Sequence, residues 1–185
     1  MTLRAQLLAG RRVAMAGAGP PAVAARMVAL GATVELLDPG PTGEDEAATW
    51  ARDRAPLAAA VIDTRAWFGS GGAEALRSTL ESAWRAARAV ATGALTESGE
   101  PSRLLFIAPG AEAGRHAEAA RAGLENLART LSVEWARFAI TAVAIAPGAD
   151  TTEAELAELV SFVASAAGGY LSGCRLDLGA VPVAV

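Results

Sequence analysis

The sequence predicts one α/β domain in which a parallel sheet is covered by helices on both faces. Short apolar segments alternate along the chain with longer amphipathic ones, the pattern of repeated strand and helix units. Several of the apolar segments are continuous rather than alternating, which is typical of strands buried on both faces. The 185 residues, 52% of them hydrophobic, suffice for one core. We therefore expect a single doubly wound domain over residues 1–185, with about six strands.

Each element follows from its local pattern. Six apolar runs predict strands at 12–16, 33–37, 58–63, 103–108, 140–145 and 175–178. Five amphipathic segments predict helices at 21–30, 44–54, 73–95, 115–138 and 152–166. The last helix begins with Thr152 followed three residues later by Glu155, the spacing of a capping box. The connecting segments are too short to be domain linkers.

Composition excludes several classes of function. A net charge of −4 argues against a general nucleic-acid surface. No apolar run is long enough to cross a membrane, and the first residues lack the pattern of a signal peptide. The only cysteine and the only histidine, Cys174 and His116, cannot supply the usual ligands of a zinc ion. The single cysteine suits a reducing compartment, so we expect a cytoplasmic protein.

The turn after the first strand is the candidate place for a nucleotide. Gly17 and Gly19 lie between a strand and a helix, where glycines let the backbone approach a pyrophosphate. Asp38, about 20 residues further on, could accept hydrogen bonds from a ribose and would favour NAD over NADP. However, Pro20 and Pro21 remove two N–H donors from this turn. The glycines and Asp38 are also ordinary turn residues. We expect no cofactor to be bound, or NAD if any.

Two long segments carry a family resemblance. Residues 121–148 read RAGLENLARTLSVEWARFAITAVAIAPG, and residues 155–179 read ELAELVSFVASAAGGYLSGCRLDLG. With 10–19 (GRRVAMAGAG) and 31–38 (GATVELLD), they resemble the short-chain dehydrogenase/reductase family. The resemblance covers most of the chain and implies a Rossmann-like fold with the strands in the order 2-1-3-4-5-6. It also implies an NAD(P)-dependent oxidoreductase ancestry.

The family's catalytic groups are missing at the corresponding positions. The resemblance places Ala117 where the family has its catalytic tyrosine and Arg121 where it has its lysine. Pro109, with Ala108 before it, occupies the place of the catalytic serine. The chain contains no lysine, since all 16 of its basic residues are arginine. Without a phenol to exchange a proton or a hydroxyl to hold a carbonyl, the family's reaction lacks its acid and its oxygen ligand.

Two titratable residues remain as weak catalytic candidates. Asp63 and the adjacent Thr64 lie where an Asn-Asn-Ala-Gly motif would line the cofactor. His116 precedes the vacant tyrosine position. On a helix, however, consecutive side chains point about 100° apart, so His116 would not inherit the tyrosine's direction. A surface histidine is the alternative interpretation.

Two structural parts of the family are also missing. Between the second and third predicted strands there is room for one helix only, which implies the loss of an edge strand and its helix. Pro147 and Gly148 are followed almost at once by the last helix, in place of the lid that covers the substrate in the family. Lids of this kind exclude water from the reaction.

The two long helices, 73–95 and 115–138, keep an apolar stripe each. The stripe of the first helix contains Leu76, Leu80, Trp84, Ala87 and Ala91. The stripe of the second helix contains Ala120, Leu124, Leu127, Leu131 and Trp135. By resemblance, these helices pair across a two-fold axis in family dimers; the alternative is that the stripes face the sheet.

We therefore expect a non-catalytic structural or regulatory subunit that forms a homodimer or pairs with a complete relative. The alternatives are an NAD(P)-dependent oxidoreductase with non-standard catalytic residues, or a module that binds a nucleotide or acyl group.

Overall fold

A computed structural model describes residues 3–17, 21–37, 43–69 and 72–179. Its centre is a six-stranded, all-parallel sheet in the order β2-β1-β3-β4-β5-β6, which confirms the predicted order. The strands are β1 (Arg12–Ala16), β2 (Thr33–Leu37), β3 (Ala59–Asp63), β4 (Ser102–Ile107), β5 (Ile140–Ala146) and β6 (Cys174–Asp177). The first two match the prediction, β3 and β5 differ from it by one residue at one end, and β4 and β6 begin and end one residue earlier than predicted.

Helices cover both faces of the sheet. They are α1 (Ala22–Ala29), α2 (Glu44–Asp53), α3 (Arg65–Phe68), α4 (Ala73–Val90), α5 (Ala117–Glu134) and α6 (Glu153–Ala164). Residues of α1 and α6 share one apolar core, and residues of α2, α4 and α5 share the other. Along β4, Leu104 and Phe106 belong to one core while Leu105 and Ile107 belong to the other. This alternation explains the continuous apolar runs, because both faces of the strand are buried.

The long helices are shorter than predicted. The 73–95 segment continues beyond α4 as a single π-helical turn, Ala91–Leu95. The 115–138 segment ends in a separate 3-10 turn, Ala136–Phe138. Apolar spacing continues through both turns, so the sequence pattern does not reveal where α-helical hydrogen bonding stops.

The connections are as short as the sequence predicts. Within the described residues, α2 is the one helix between β2 and β3. Between β5 and α6 the chain makes a tight turn, in which the Gly148 amide donates to the Thr151 hydroxyl at 2.8 Å. The short α3 directly after β3 was not predicted.

No helix in the described part of the chain is both long and apolar enough to cross a membrane.

Candidate functional site at the carboxyl ends of the strands

The candidate residues that the structure describes gather where β3, β4 and β5 end. In open α/β sheets, this edge is the usual place for a ligand. Asp63 is the last residue of β3, and Pro109 and Pro147 follow β4 and β5. Arg121 reaches the same edge from α5. Gly19 and Asp38, the other predicted cofactor residues, lie outside the described residues.

Gly17 is required at this edge by the backbone itself. Its φ is +91°, in the region that glycine adopts most readily. A Cβ at this position would overlap the carbonyl oxygen of Asp63. The glycine that the sequence suggested for phosphate binding therefore also allows the chain after β1 to cross close to the end of β3.

The Asp63 side chain is completely buried and forms an ion pair with Arg65. Its Oδ1 accepts from the Arg65 backbone amide at 3.1 Å, and its Oδ2 accepts from Nη2 at 2.8 Å. Arg65 also bridges to α6, because its Nη1 donates to Glu153 Oε1 at 2.6 Å. Burial alone would lower the pKa of Arg65, but its hydrogen bonds and charge interactions with both acids raise that pKa above its ordinary value. The three side chains form a bridge from the end of β3 to the start of α6.

Thr64 is also fully buried, and both its hydroxyl and its backbone amide make hydrogen bonds. Its hydroxyl and its backbone amide both donate to the Ile107 carbonyl, at 2.8 and 3.0 Å. The acceptor oxygens of Asp63 and the hydroxyl donor of Thr64 are therefore all engaged within the protein.

Arg121 is 6% exposed and spans three strand ends. Its Nη1 donates to the carbonyl oxygens of Pro109 and Pro147, at 3.0 and 2.8 Å, and its Nη2 donates to Asp177 Oδ1 at 3.2 Å. Asp177 in turn accepts from Arg175 Nε at 2.9 Å, and this bond is the largest cause of the raised pKa of Arg175. The guanidinium thus ties β4, β5 and β6 together rather than facing an open pocket.

Ala117, which the resemblance places at the family's tyrosine position, lies in a small apolar cluster. Ala117 is fully buried with Phe68 and Ala120, and Leu76 packs against them. His116, directly before α5, is only partly buried and makes no capping hydrogen bond with its side chain. Chemically, this edge holds paired ions and packed methyl groups.

Sequence reasoning missed Arg65, Glu153 and Asp177. The Asp63-x-Arg65 spacing at a strand end was a visible signal for a local ion pair. Glu153 is 88 residues from Arg65, and no sequence pattern links them. No described group of three or more His, Cys, Asp or Glu residues is placed to hold a metal ion.

No protein-family model matches the chain, and no curated protein matches it. Several solved structures, however, are similar to it. The chain is similar to a short-chain dehydrogenase from Mycobacterium smegmatis, with a TM-score of 0.78 and 19% identity over 96% of this chain and 95% of that one. A citronellol catabolism dehydrogenase from Pseudomonas aeruginosa gives a TM-score of 0.75 and 20% identity over 95% of both chains. RhlG from the same organism, solved as an NADP complex, gives 0.74 and 19% over 92% of this chain and 95% of that one.

These comparisons establish a fold like that of the short-chain dehydrogenases, as the sequence predicted. They leave the activity to be inferred from the residues at the site.

Proposed function

We propose that this chain is a non-catalytic structural or regulatory subunit with a short-chain-dehydrogenase-like fold, which forms a homodimer or pairs with a catalytically complete relative. The observation that carries the proposal is the environment of Arg121 and Ala117. The guanidinium is held by two backbone carbonyls and Asp177, while the alanine is packed under Phe68. A substrate carbonyl would meet neither a phenol nor a free cation there.

The other candidate acid supports the same proposal. Asp63 has no exposed surface, and both of its carboxylate oxygens accept hydrogen bonds from Arg65. A general base must reach the proton that it abstracts. Asp63 would have to break its ion pair with Arg65 before it could do so.

The described residues also fit a dinucleotide poorly. The bridge Asp63–Arg65–Glu153 crosses from β3 to α6 at the edge where a dinucleotide would enter, and Pro21 offers no N–H donor to a phosphate. We therefore expect weak or absent binding of NAD(H) and NADP(H). Titration calorimetry measures this directly, and micromolar binding of either dinucleotide would contradict the expectation. If binding is found, Asp38→Ala should weaken NAD more than NADP.

The surface of α4 and α5 supports the assembly part of the proposal. The stripe residues Ala87, Ala91, Leu124 and Leu131 face the core, as the alternative interpretation required. Others remain partly exposed on the outside, namely Leu76, Leu80, Trp84, Leu127 and Trp135. The rings of Trp84 and Trp135 stack with their centroids 6.3 Å apart, which joins the two helices into one apolar surface. Aromatic residues at the centre of such a surface are typical of interfaces.

The test of the non-catalytic proposal is a reductase assay on the purified chain. We expect no oxidation of NADH or NADPH with aldehyde, ketone or quinone substrates. Turnover that disappears in His116→Ala or Asp63→Ala would instead establish an NAD(P)-dependent oxidoreductase with non-standard catalytic residues. Purification from the native cell with its partners then distinguishes a homodimer from a companion of a complete dehydrogenase.

A further inference from the structure

The opposite edge of the sheet, where the strands begin, contains a buried arginine that has no acid partner among the described residues. Arg103, the second residue of β4, is 6% exposed. The one hydrogen bond that its side chain makes to a described residue runs from Nη1 to the Ser102 carbonyl, at 3.1 Å, and its buried Nε has no partner. The buried guanidinium of Arg121, by contrast, has a carboxylate partner. A buried cation that lacks compensation is costly, so the arrangement points to a missing negative group.

The guanidinium lines a cavity of about 300 Å³ at this edge. The polar residues that line it are Arg103, Ser132, Thr141 and Ser172, and no Asp or Glu is among the lining residues. The Ser132 hydroxyl already donates to the Arg129 carbonyl, at 2.7 Å. The Thr141 hydroxyl is buried and has no hydrogen-bond partner in the described structure. Gly169 completes the wall, and a Cβ there would overlap Nη2 of Arg103. The absence of a side chain at Gly169 therefore makes room for the guanidinium at the cavity wall, near the unpaired hydroxyl of Thr141.

A second arginine makes the local charge more positive. Burial lowers the pKa of Arg103, and the positive charge of Arg11 lowers it further. Arg11 forms no salt bridge within the described residues, whereas Arg12, beside it in sequence, pairs with Glu35 at 3.7 Å. Two neighbouring cations favour a ligand that carries two negative charges rather than one.

Helix ends compensate this charge only in part. The Ala136–Phe138 turn after α5 and the Ala166–Gly168 turn lie at the same edge, with Ala136 and Gly169 in the cavity wall. The carbonyl end of a helix carries the equivalent of about half a negative charge, and less in a single turn. Such an end also gives no acceptor to the unpaired Nε of Arg103.

We propose that this cavity binds a tetrahedral oxyanion, either inorganic phosphate or the phosphoryl group of a phosphomonoester. Arg103 supplies the forked donor that such an oxygen pair requires, and Thr141 supplies a hydroxyl donor. The proposal is independent of the proposed subunit role, since the cavity lies at the opposite edge of the sheet from Arg121 and Ala117.

The experiment measures binding to the full chain in two ways. Thermal unfolding is followed as inorganic phosphate replaces chloride at constant ionic strength, and phosphorus NMR follows the same titration. We expect a saturable rise in Tm, because a ligand that binds only the folded state stabilises it. Glycerol 3-phosphate is titrated in parallel, and tighter binding than that of phosphate would identify an organic phosphate as the natural source.

Three variants separate specific binding from a general salt effect. Arg103→Gln should weaken phosphate binding by at least about tenfold, a change of about 1.4 kcal/mol. Thr141→Val keeps the shape of the side chain and should weaken binding while the protein stays folded. Arg52→Gln, which removes an exposed arginine on α2, should bind phosphate as the wild type does.

An equal rise in Tm for the wild type and Arg103→Gln would reduce the effect to exclusion of phosphate from the surface and would overturn the proposal. The absence of a phosphorus NMR change up to about 10 mM phosphate would overturn it as well.

Discussion

Arginine at position 121 performs a task that lysine could not. A guanidinium is planar and directs its donors along fixed lines, so one side chain reaches the carbonyls of Pro109 and Pro147 and the Asp177 carboxylate together. An ammonium is a compact charge that would favour one of these groups at the expense of the others. Arginine at position 121 therefore suits a structural role, in which one side chain holds three groups in place.

We expect Arg121→Lys to lower the free energy of unfolding by about 2 kcal/mol, because at least one charged hydrogen bond of the buried group is lost. Urea unfolding measures the change. Arg129→Lys is the matched control, since the Arg129 side chain is 62% exposed and the same substitution there should stay within about 0.5 kcal/mol. Equal effects at the two positions would show that the contacts of Arg121 do not contribute to stability.

Gly17 gives a second test at the scale of one residue. Gly17→Ala should destabilise the fold by about 3 kcal/mol, because it combines a positive φ with a collision against the Asp63 carbonyl. Gly10→Ala is the control, since Gly10 has a φ of +71° but nothing within 4 Å of an added Cβ. Gly10→Ala should cost about 1 kcal/mol. If thermal unfolding shows the same loss for both variants, the close approach to Asp63 has no energetic weight.

The sequence predicted which residues lie at the carboxyl edge better than what they do there. Asp63 was a catalytic candidate because the resemblance places it where an Asn-Asn-Ala-Gly motif would line the cofactor, and its place at the end of a strand is a local property that sequence can reveal. Its ion pair with Arg65 depends on how the chain turns into α3, and the contact to Glu153 depends on the placement of α6. The burial of Arg103 was not predicted, because a charged residue at the beginning of an apolar run is interpreted as the exposed start of a strand.

At the scale of elements, the start of α6 was predicted in detail because all of its determinants are local. The Thr152 hydroxyl accepts from the Glu155 amide at 3.2 Å, and Glu155 Oε2 accepts from the Thr152 amide at 2.9 Å. The ends of α4 and α5 were placed too far along the chain, because apolar residues continue through turns of different hydrogen bonding. Periodicity reports which residues are buried and not which amides are bonded.

The capping box gives a prediction for α6. Thr152→Ala should cost about 1 kcal/mol at neutral pH, whereas Thr152→Ser keeps the hydroxyl and should cost much less. The hydrogen bonds from the Thr152 amide and hydroxyl lower the pKa of Glu155. The contribution of this carboxylate is therefore complete above the ordinary pKa of a glutamate and is lost as the pH falls through the lowered pKa.

The difference between the wild type and Thr152→Ala should accordingly shrink in acid. Urea unfolding at pH 7 and near pH 3 compares the two proteins. A difference that is constant or larger in acid would mean that the Glu155 side of the box contributes nothing.

At the scale of the whole molecule, the six strands form one contiguous sheet in the described part of the chain. β2 is an edge of this sheet and pairs with β1 alone, and its Leu36 is 69% exposed. The order of the strands could be predicted because the family resemblance implies it, and the rules for parallel connections allow few alternatives. The state of assembly could not, because an apolar stripe serves a sheet or a partner equally well.

Trp84→Glu is the test of assembly. Trp84 is 37% exposed and stacks on Trp135, so it belongs to the outer surface of α4 and α5 rather than to the core. A charge in the apolar centre of an interface must be desolvated without a partner, and we expect it to dissociate the assembly while the sheet remains folded. Light scattering measures the mass and circular dichroism the fold.

Leu36→Glu places the same charge on an exposed apolar residue of the sheet edge and should leave the mass unchanged. A wild-type chain that is monomeric at tens of micromolar, with no partner recovered from cells, would contradict the assembly proposal. Dissociation by Leu36→Glu but not by Trp84→Glu would place the interface at β2 instead.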